Sequence, residues 1–173
     1  MIPTWDQEAS DPAQCELLAA LVRCAKPRIV VEAGTYKGHG ALAIARALHV
    51  NGPTGHLWTA DPYEFGQRDT LAGLPNVSFC NEDFLTMLDR LAEVDFAYID
   101  ASEWGPNGRD ASLRVRHFEA VLPKLAPGGL ICVDDTKADD WNDGEGGKSV
   151  LRIRERCFNF GFLRGLSIYQ APK

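Results

Sequence analysis

Residues 29–40 read IVVEAGTYKGHG, and residues 41–48 continue as ALAIARAL. A short β-branched run thus ends in an acid, Glu32, and a glycine, Gly34. A glycine-rich turn and a segment rich in alanine and leucine follow, an order that predicts a strand, a tight turn and a helix. Such a turn places backbone N–H groups and the positive end of a helix dipole at the carboxyl edge of a sheet. Its glycines would let a ligand approach the backbone, although they could also serve only to close the turn.

The spacing of these glycines separates two classes of ligand. Dinucleotide-binding folds use the pattern G-x-G-x-x-G, whereas residues 32–40 give E-x-G-x-x-x-G-x-G, which disfavours an NAD-binding oxidoreductase. This stretch resembles the first motif of the class I S-adenosylmethionine-dependent methyltransferases, E/D-x-G-x-x-x-G. The resemblance implies that Glu32 and Gly34 line the methionine part of the methyl donor. It also places Thr35, Tyr36 and Gly38, which lie in the same turn, in the donor site.

Composition is typical of a globular protein. The chain has 173 residues, of which 45% are hydrophobic and 24% charged, so we expect one domain over residues 1–173. No apolar run reaches the roughly 18 residues of a membrane span, and no secretory signal is recognisable. The five cysteines are dispersed without a C-x-x-C pair, which favours reduced thiols and a cytoplasmic location. A net charge of −6 argues against a nucleic-acid partner.

The arginines near residue 110 could form a small basic patch. Arg109, Arg114 and Arg116 lie at helical spacing, which is more typical of a solvated helix face.

Strand-like and helix-like segments alternate along the chain. This order predicts an α/β fold of the Rossmann-like, doubly wound type, with helices on both faces of a mainly parallel sheet. We expect six or seven strands in the order 3-2-1-4-5, with an antiparallel C-terminal strand beside the fifth. The predicted strands are Arg28–Glu32, Leu57–Asp61, Asn76–Cys80, Val94–Asp100, Leu130–Val133 and Phe162–Gln170, the last of which could be two short strands. The predicted helices are Asp11–Ala25, Gly38–His49, a short one at Gln67–Leu74, one from Phe84 to about Leu91, Arg109–Leu125 and Lys148–Asn159. The first begins with a capping side chain and with Pro12 in its first turn, and residues 127–129, PGG, predict a turn.

An acid stands at the end of each of the first five predicted strands. These residues are Glu32, Asp61, Asp83 just after its strand, Asp100, and the pair Asp134 and Asp135. In open α/β sheets, ligands bind outside the carboxyl ends of the strands. One such acid is common in a turn or a helix cap, but a series of five indicates a ligand site.

The resemblance to class I methyltransferases gives two of these acids roles toward the donor. It implies that Asp61 accepts hydrogen bonds from both ribose hydroxyls, which suits the two oxygens of a carboxylate. It also implies that Asp83 binds the adenine amino group while Phe84 offers its backbone N–H. Asp83 could equally cap the following helix, and the two roles are compatible.

The second half of the chain narrows the resemblance. Residues 98–101, YIDA, and residues 121–135, VLPKLAPGGLICVDD, resemble the magnesium-dependent small-molecule O-methyltransferases, such as the catechol and antibiotic-sugar types. The resemblance implies that Asp100, Asp134 and Asp135 hold Mg²⁺, with Asp100 also bordering the donor. The ion would bind a hydroxyl of the acceptor, lower its pKa and orient it toward the methyl group. The alternative is that Asp134 and Asp135 only order a loop.

Two features depart from that family. Its general base is typically a Lys or Asp two or three residues after the fourth-strand Asp, where this chain has Ser102 and Glu103. Glu103 is therefore the candidate catalytic base. Only one helix is predicted before the first strand, so the acceptor site is either open or closed by a partner subunit, as in a homo-oligomer. The acid-rich segment Asp134–Glu145, with Trp141 near its middle, is one candidate lid, and Trp104 lies in the other. Either tryptophan could stack on an acceptor or simply anchor its loop.

Three functions remain open on the sequence. The leading one is metal-assisted transfer of a methyl group to a hydroxyl of a small molecule. The second is a metal-independent N- or C-methyltransferase, and the third is a non-catalytic cofactor-binding module that assists another enzyme. The four histidines share no metal-binding spacing, so we do not expect zinc.

Overall fold

The computed structural model of the chain describes residues 10–105, 108–110, 112–137, 148–161 and 165–173, with only the backbone described for 103–105, 108–110 and 148–150. The helices are α1 Pro12–Ala25, α2 His39–Asn51, α3 Gln67–Thr70, α4 Phe84–Asp89, α5 Ser112–Val121 and α6 Lys148–Arg154, with a 3₁₀ turn at Leu122–Lys124. The strands are β1 Ile29–Ala33, β2 His56–Ala60, β3 Val77–Cys80, β4 Val94–Ile99, β5 Glu103–Gly105, β6 Gly108–Asp110, β7 Leu125–Asp134, β8 Phe158–Phe160 and β9 Leu166–Gln170.

Seven of these strands form one sheet in the order β3-β2-β1-β4-β7-β9-β8. The first five strands in that order are parallel, β9 runs antiparallel to β7, and β8 runs antiparallel to β9. The predicted doubly wound sheet and its antiparallel C-terminal strand are therefore confirmed. The strands β5 and β6 pair separately as a small antiparallel hairpin.

Alternate residues of the central strands face two different hydrophobic cores. One core joins the sheet to α1 and α2, and the other joins it to α4 and α5. Because successive side chains of a strand point to opposite faces, a central strand buried on both faces is expected to be mostly apolar. In β4, Phe96 and Tyr98 enter the first core while Ala97 and Ile99 enter the second.

The boundaries differ from the predicted ones on both sides of β7. The predicted helix Arg109–Leu125 begins only at Ser112, because Gly108–Asp110 belongs to the unpredicted hairpin, and it tightens into a 3₁₀ turn at Pro123. β7 begins at Leu125 rather than Leu130, with a register shift opposite Val94–Phe96. The predicted turn at residues 127–129 is thus part of a strand. Gly129 permits this because a Cβ there would lie 3.0 Å from the carbonyl oxygen of Asp95.

The C-terminal helix was predicted too long. It ends at Arg154, and Phe158–Phe160 form an edge strand instead of its last turn. The amide of Asn159 donates to the carbonyl oxygens of Arg154 and Cys157, at 2.8 and 3.0 Å, and accepts from the hydroxyl of Ser167 at 2.6 Å. Asn159 therefore terminates the helix and joins β8 to β9. Residues 162–164 of the predicted final strand lie outside the described residues.

None of the helices that the structure describes combines the length and the apolar character needed to cross a membrane.

The turn after β1 brings two strand ends into close contact. The N–H of Gly34 donates to the carbonyl oxygen of Ala60 at 2.9 Å, and the residue adopts φ +88°. A Cβ on Gly34 would lie 2.8 Å from the backbone nitrogen of Ala101, which follows β4. Glycine is therefore required here both by its dihedral angle and by the neighbouring backbone.

We predict that Gly34→Ala lowers the free energy of unfolding by roughly 2–5 kcal/mol, because a left-handed dihedral and a backbone clash act together. Gly73→Ala is the matched control, since Gly73 has φ +78° but no heavy atom within 4 Å of the added Cβ. The control should lose only about 1–2 kcal/mol. Urea denaturation of both variants measures the difference, and equal losses would show that the contact with Ala101 is unimportant.

Candidate active site

The carboxylate of Asp61 is fixed at the end of β2 by two backbone groups. The N–H of Tyr36 donates to Oδ2 at 2.9 Å, and the N–H of Tyr63 donates to Oδ1 at 3.0 Å. Tyr36 lies in the glycine turn with φ +44°, so the turn and the strand end are joined through this carboxylate. A carboxylate oxygen can accept more than one hydrogen bond, so each oxygen keeps capacity for a ligand hydroxyl.

Glu32 lies buried below the same turn. Its carboxyl accepts a hydrogen bond from the hydroxyl of Thr59, whose oxygen lies 2.6 Å from that of Thr35. Burial raises the pKa of Glu32 to about 8, the hydrogen bond from Thr59 opposes this rise, and the charges of Asp100 and Asp61 add to it. A Cβ on Gly40 would lie 2.7 Å from Oε1 of Glu32, so the third glycine of the motif makes room for this carboxyl group.

The three predicted metal ligands converge. Asp100 follows β4, Asp134 ends β7 and Asp135 follows it, and one oxygen of each lies within 4.8 Å of the others. The hydroxyl of Tyr98 lies 3.2 Å from Oδ2 of both Asp100 and Asp134. The hydroxyl of Ser10 donates to Oδ2 of Asp100 at 3.2 Å. Neighbouring strands of a parallel sheet thus deliver their acids to one point, which we call the carboxylate cluster: Asp100, Asp134 and Asp135.

Burial in this cluster changes the protonation of Asp134. The pKa of Asp134 is raised well above its ordinary value by burial, and the charges of Asp100 and Asp135 raise it further. The charge of Arg114 and a hydrogen bond from Gln14 oppose this rise of the pKa. Oδ1 of Asp134 accepts a hydrogen bond from the backbone N–H of Asp135 at 2.6 Å.

Arg114 is a site residue that sequence reasoning missed. Its Nη2 donates to Oδ1 of Asp100 at 2.8 Å and to Oδ2 of Asp135 at 3.0 Å, and its side chain is 0% exposed. The expectation of a solvated face is therefore wrong for Arg114, although Arg116 is exposed. The spacing of residues along the helix could have indicated this burial. Arg114 lies four residues before Phe118 and seven before Val121, on the buried face of α5.

The glycine turn and one member of the carboxylate cluster, Asp100, line the same narrow pocket. Because the residue between them, Asp100, borders both, a ligand held by the turn would lie beside the cluster. The pocket is lined by Ser10, Gly34, Thr35, Tyr36, Lys37, His39 and Asp100.

Asp83 caps α4, as the alternative for this residue predicted. Its Oδ1 accepts a hydrogen bond from the N–H of Leu85 at 2.8 Å. The neighbouring Phe84 is buried, and its ring centroid lies 4.7 Å from that of His117. Asn81 donates to the carbonyl oxygen of Asp61 at 3.1 Å, which joins the ends of β2 and β3. The roles of Asp83 and Phe84 toward adenine remain predictions.

His117 is a second buried polar side chain of α5. Burial lowers its pKa to about 4, so the imidazole is neutral near pH 7. Within the described part of the chain, neither ring nitrogen has a hydrogen-bond partner.

An aromatic rim borders the turn on the side of Asp61. The rings of Tyr36 and Phe65 lie 4.9 Å apart, and those of Tyr63 and Phe65 lie 6.3 Å apart. Tyr63 and Phe65 are exposed, whereas Gln67 below them is fully buried. Gln67 donates to the carbonyl oxygen of Tyr63 at 2.6 Å and accepts from the N–H of Phe65 at 2.5 Å. The backbone that carries these two exposed rings is therefore held rigidly.

The structure gives no side-chain position for the candidate catalytic base. Glu103 lies in β5, of which only the backbone is described, and the same holds for Trp104. Trp141 and the rest of residues 138–147, most of the acidic segment predicted as a lid, lie outside the described residues.

We predict that Glu32→Gln flattens the pH dependence of stability. The pKa of Glu32 is about 8 in the folded chain and about 4.5 when unfolded, so the folded state binds the proton more tightly. This contribution to stability is complete below the unfolded pKa and is lost as the pH rises toward 8. Urea denaturation between pH 5 and 8 should show a smaller decline in the variant. Glu93→Gln, at an exposed position, is the control, and an unchanged slope in Glu32→Gln would contradict the assignment.

Sequence comparison identifies the family. A family model described as a methyltransferase domain matches residues 31–136, more than half of the chain. The caffeoyl-CoA O-methyltransferase of Stellaria longipes is 27% identical over an alignment of 137 residues, and the match covers 73% of this chain and 54% of that relative. The chain therefore spans about half the length of this curated relative.

Solved structures share the fold. The O-methyltransferase of Bacillus cereus in complex with SAH matches with a TM-score of 0.75 at 20% identity, over 96% of this chain and 84% of that chain. The O-methyltransferase TomG of Streptomyces achromogenes, involved in tomaymycin synthesis and solved with SAM, matches with a TM-score of 0.74 at 21% identity, over 100% of this chain and 93% of that chain. The match over residues 31–136, which include the glycine turn and the carboxylate cluster, shows that the chain belongs to the methyltransferase-domain family.

Proposed function

We propose that the chain transfers a methyl group from S-adenosylmethionine to a hydroxyl of a small molecule, with a divalent ion held by the carboxylate cluster. The observation that carries this proposal is that the glycine turn and the cluster meet at one edge of the sheet, with Asp100 common to both. Membership of the methyltransferase-domain family and the likeness to a caffeoyl-CoA O-methyltransferase support it.

The donor would bind over the ends of the first three strands. Asp61 has a fixed carboxylate that suits a ribose diol, and Gly34 leaves the backbone open to a close approach. The aromatic rim would border the bound donor on the side of Asp61. Holding donor and acceptor in one geometry is the main requirement of methyl transfer, since proximity and orientation account for much of the rate.

The carboxylate cluster fits a hard divalent ion. All three candidate ligands are carboxylate oxygens, the donors that Mg²⁺ and Mn²⁺ prefer. If all three carboxyl groups were ionised, their charge would exceed that of the Arg114 guanidinium by two, and a dication would balance the difference. A bound ion would supply the positive charge that lowers the pKa of an acceptor hydroxyl. Tyr98 and Ser10 orient the carboxylates through their hydrogen bonds.

A metal-independent methyltransferase is the second candidate. Arg114 already places a positive charge between Asp100 and Asp135, and this charge could orient an acceptor without a metal ion. The effect of a chelator on turnover distinguishes the two candidates.

We predict that Asp61→Asn weakens binding of S-adenosylmethionine by roughly 1.5–3 kcal/mol, because charge-assisted hydrogen bonds to the ribose are lost. Asp69→Asn removes the same charge from an exposed position on α3 and should bind the donor like the wild type. Isothermal titration calorimetry measures both affinities. Unchanged affinity in Asp61→Asn would exclude Asp61 from the donor site.

We predict that a chelator abolishes methyl transfer to a catechol or other vicinal diol, and that Mg²⁺ or Mn²⁺ restores it. Asp134→Asn should weaken Mn²⁺ binding but leave donor affinity nearly intact, because the donor lies mainly over the first three strands. Asp89→Asn, exposed on α4, is the charge-matched control. Turnover that survives both the chelator and Asp134→Asn would favour the metal-independent enzyme. Tight donor binding without any methylated product from a broad acceptor panel would favour a non-catalytic module.

A further inference from the structure

We infer that Arg114 is the resident counter-cation of the carboxylate cluster, and that it keeps the affinity of the cluster for divalent ions low. The inference rests on the metal site of the proposed function. Its subject, however, is Arg114, for which the family match and the relatives give no role.

One nitrogen atom of Arg114 bridges two of the three candidate ligands. Nη2 lies 2.8 Å from Oδ1 of Asp100 and 3.0 Å from Oδ2 of Asp135. The two acids come from different strands, so the guanidinium occupies a bridging position of the kind that a metal ion would take. A Mg²⁺ ion binds carboxylate oxygens at about 2.0–2.1 Å, so an ion sharing either oxygen with Arg114 would lie within about 5 Å of Nη2.

The charge of Arg114 is permanent and is shielded from water. A guanidinium does not lose its proton in a protein, and this one is 0% exposed. A buried cation without partners is costly, and Asp100 and Asp135 supply the compensating charges. A dication that enters the cluster therefore lies close to a positive charge that water does not screen, and like charges at this separation repel.

The opposite role would be that Arg114 mainly orients the ligands for the ion. Other groups already hold two of the three carboxylates, however. Asp100 accepts from Ser10 and lies beside the hydroxyl of Tyr98, and Asp134 accepts from the N–H of Asp135 and also lies beside Tyr98. Removal of Arg114 would therefore change the positions of the carboxylates less than it would change the charge beside them. The two roles predict opposite changes of metal affinity.

The test uses Mn²⁺ alone as the probe, titrated into metal-free protein and followed calorimetrically. Arg114→Gln should bind Mn²⁺ roughly tenfold tighter or more, because a repulsive charge is removed at short distance. Arg114→Lys keeps the charge and should stay close to the wild type. Arg116→Gln, on the exposed face of the same helix, makes the same change of net charge and should also bind Mn²⁺ like the wild type.

Thermal unfolding gives a second readout that does not depend on activity. Without metal, Arg114→Gln should unfold at a lower temperature than the wild type, because Asp100 and Asp135 lose the guanidinium that both contact. Saturating Mn²⁺ should raise its melting temperature by more than that of the wild type. Arg114→Met, which keeps an unbranched stem in the buried position, repeats both measurements if the glutamine variant does not fold.

Equal or weaker Mn²⁺ binding in Arg114→Gln and Arg114→Met would overturn the inference, as would tighter binding in Arg116→Gln to the same extent. The proposed function is tested separately, by the effect of a chelator on turnover of the wild type. Tighter Mn²⁺ binding in Arg114→Gln together with chelator-resistant turnover would support the role of Arg114 and refute metal-assisted transfer.

Discussion

The burial of several carboxyl groups beside one another is the constraint on which the site depends. Glu32, Asp100, Asp134 and Asp135 lie at the carboxyl edge of the sheet, and three of them are almost fully inaccessible to water. Four adjacent negative charges could not remain in such a place without compensation. The chain compensates in two ways. Burial raises the pKa of Glu32 and of Asp134, which favours their protonated forms, and a buried guanidinium is brought in from α5.

The backbone must come close enough for these groups to meet. Gly34 lets the end of β1 approach the segment that follows β4, and Gly40 leaves space for the carboxyl group of Glu32 below the start of α2. Asp61 then joins the glycine turn to β2 through the N–H of Tyr36. The close approach of these strand ends therefore has two effects. It exposes polar backbone groups at the edge of the sheet, and it brings the acidic side chains together. A site of this kind has its charges in place before any ligand arrives, which is how proteins obtain strong electrostatic interactions with substrates.

Several elements were predictable because they depend on local pattern. Asp11 caps α1 and Pro12 stands in its first turn, as the sequence indicated, because capping involves only neighbouring residues. The hairpin of β5 and β6 and the edge strand β8 were missed. Both are three residues long, too short for a periodic pattern, and β8 is held by Asn159 through contacts with Arg154 and Ser167 that only the folded chain provides. Gly128 and Gly129 looked like a turn because glycine disfavours strands, yet the close approach of Asp95 places Gly129 within β7.

The sequence by itself determined the sheet, its helical layers and the edge at which the acids gather. This was possible because strand–helix alternation restricts the topology and parallel strands end on one side. Only the tertiary structure decided how those acids are neutralised. Arg114 is separated from Asp100 by 14 residues and from Asp135 by 21. Its spacing from Phe118 and Val121 indicates a buried helix face, but no local pattern reveals which acids it contacts. The same holds for Tyr98, which reaches Asp100 and Asp134 only because β4 and β7 are neighbours. Long-range pairing of buried charges depends on the register of packed elements, and that register is a property of the whole fold.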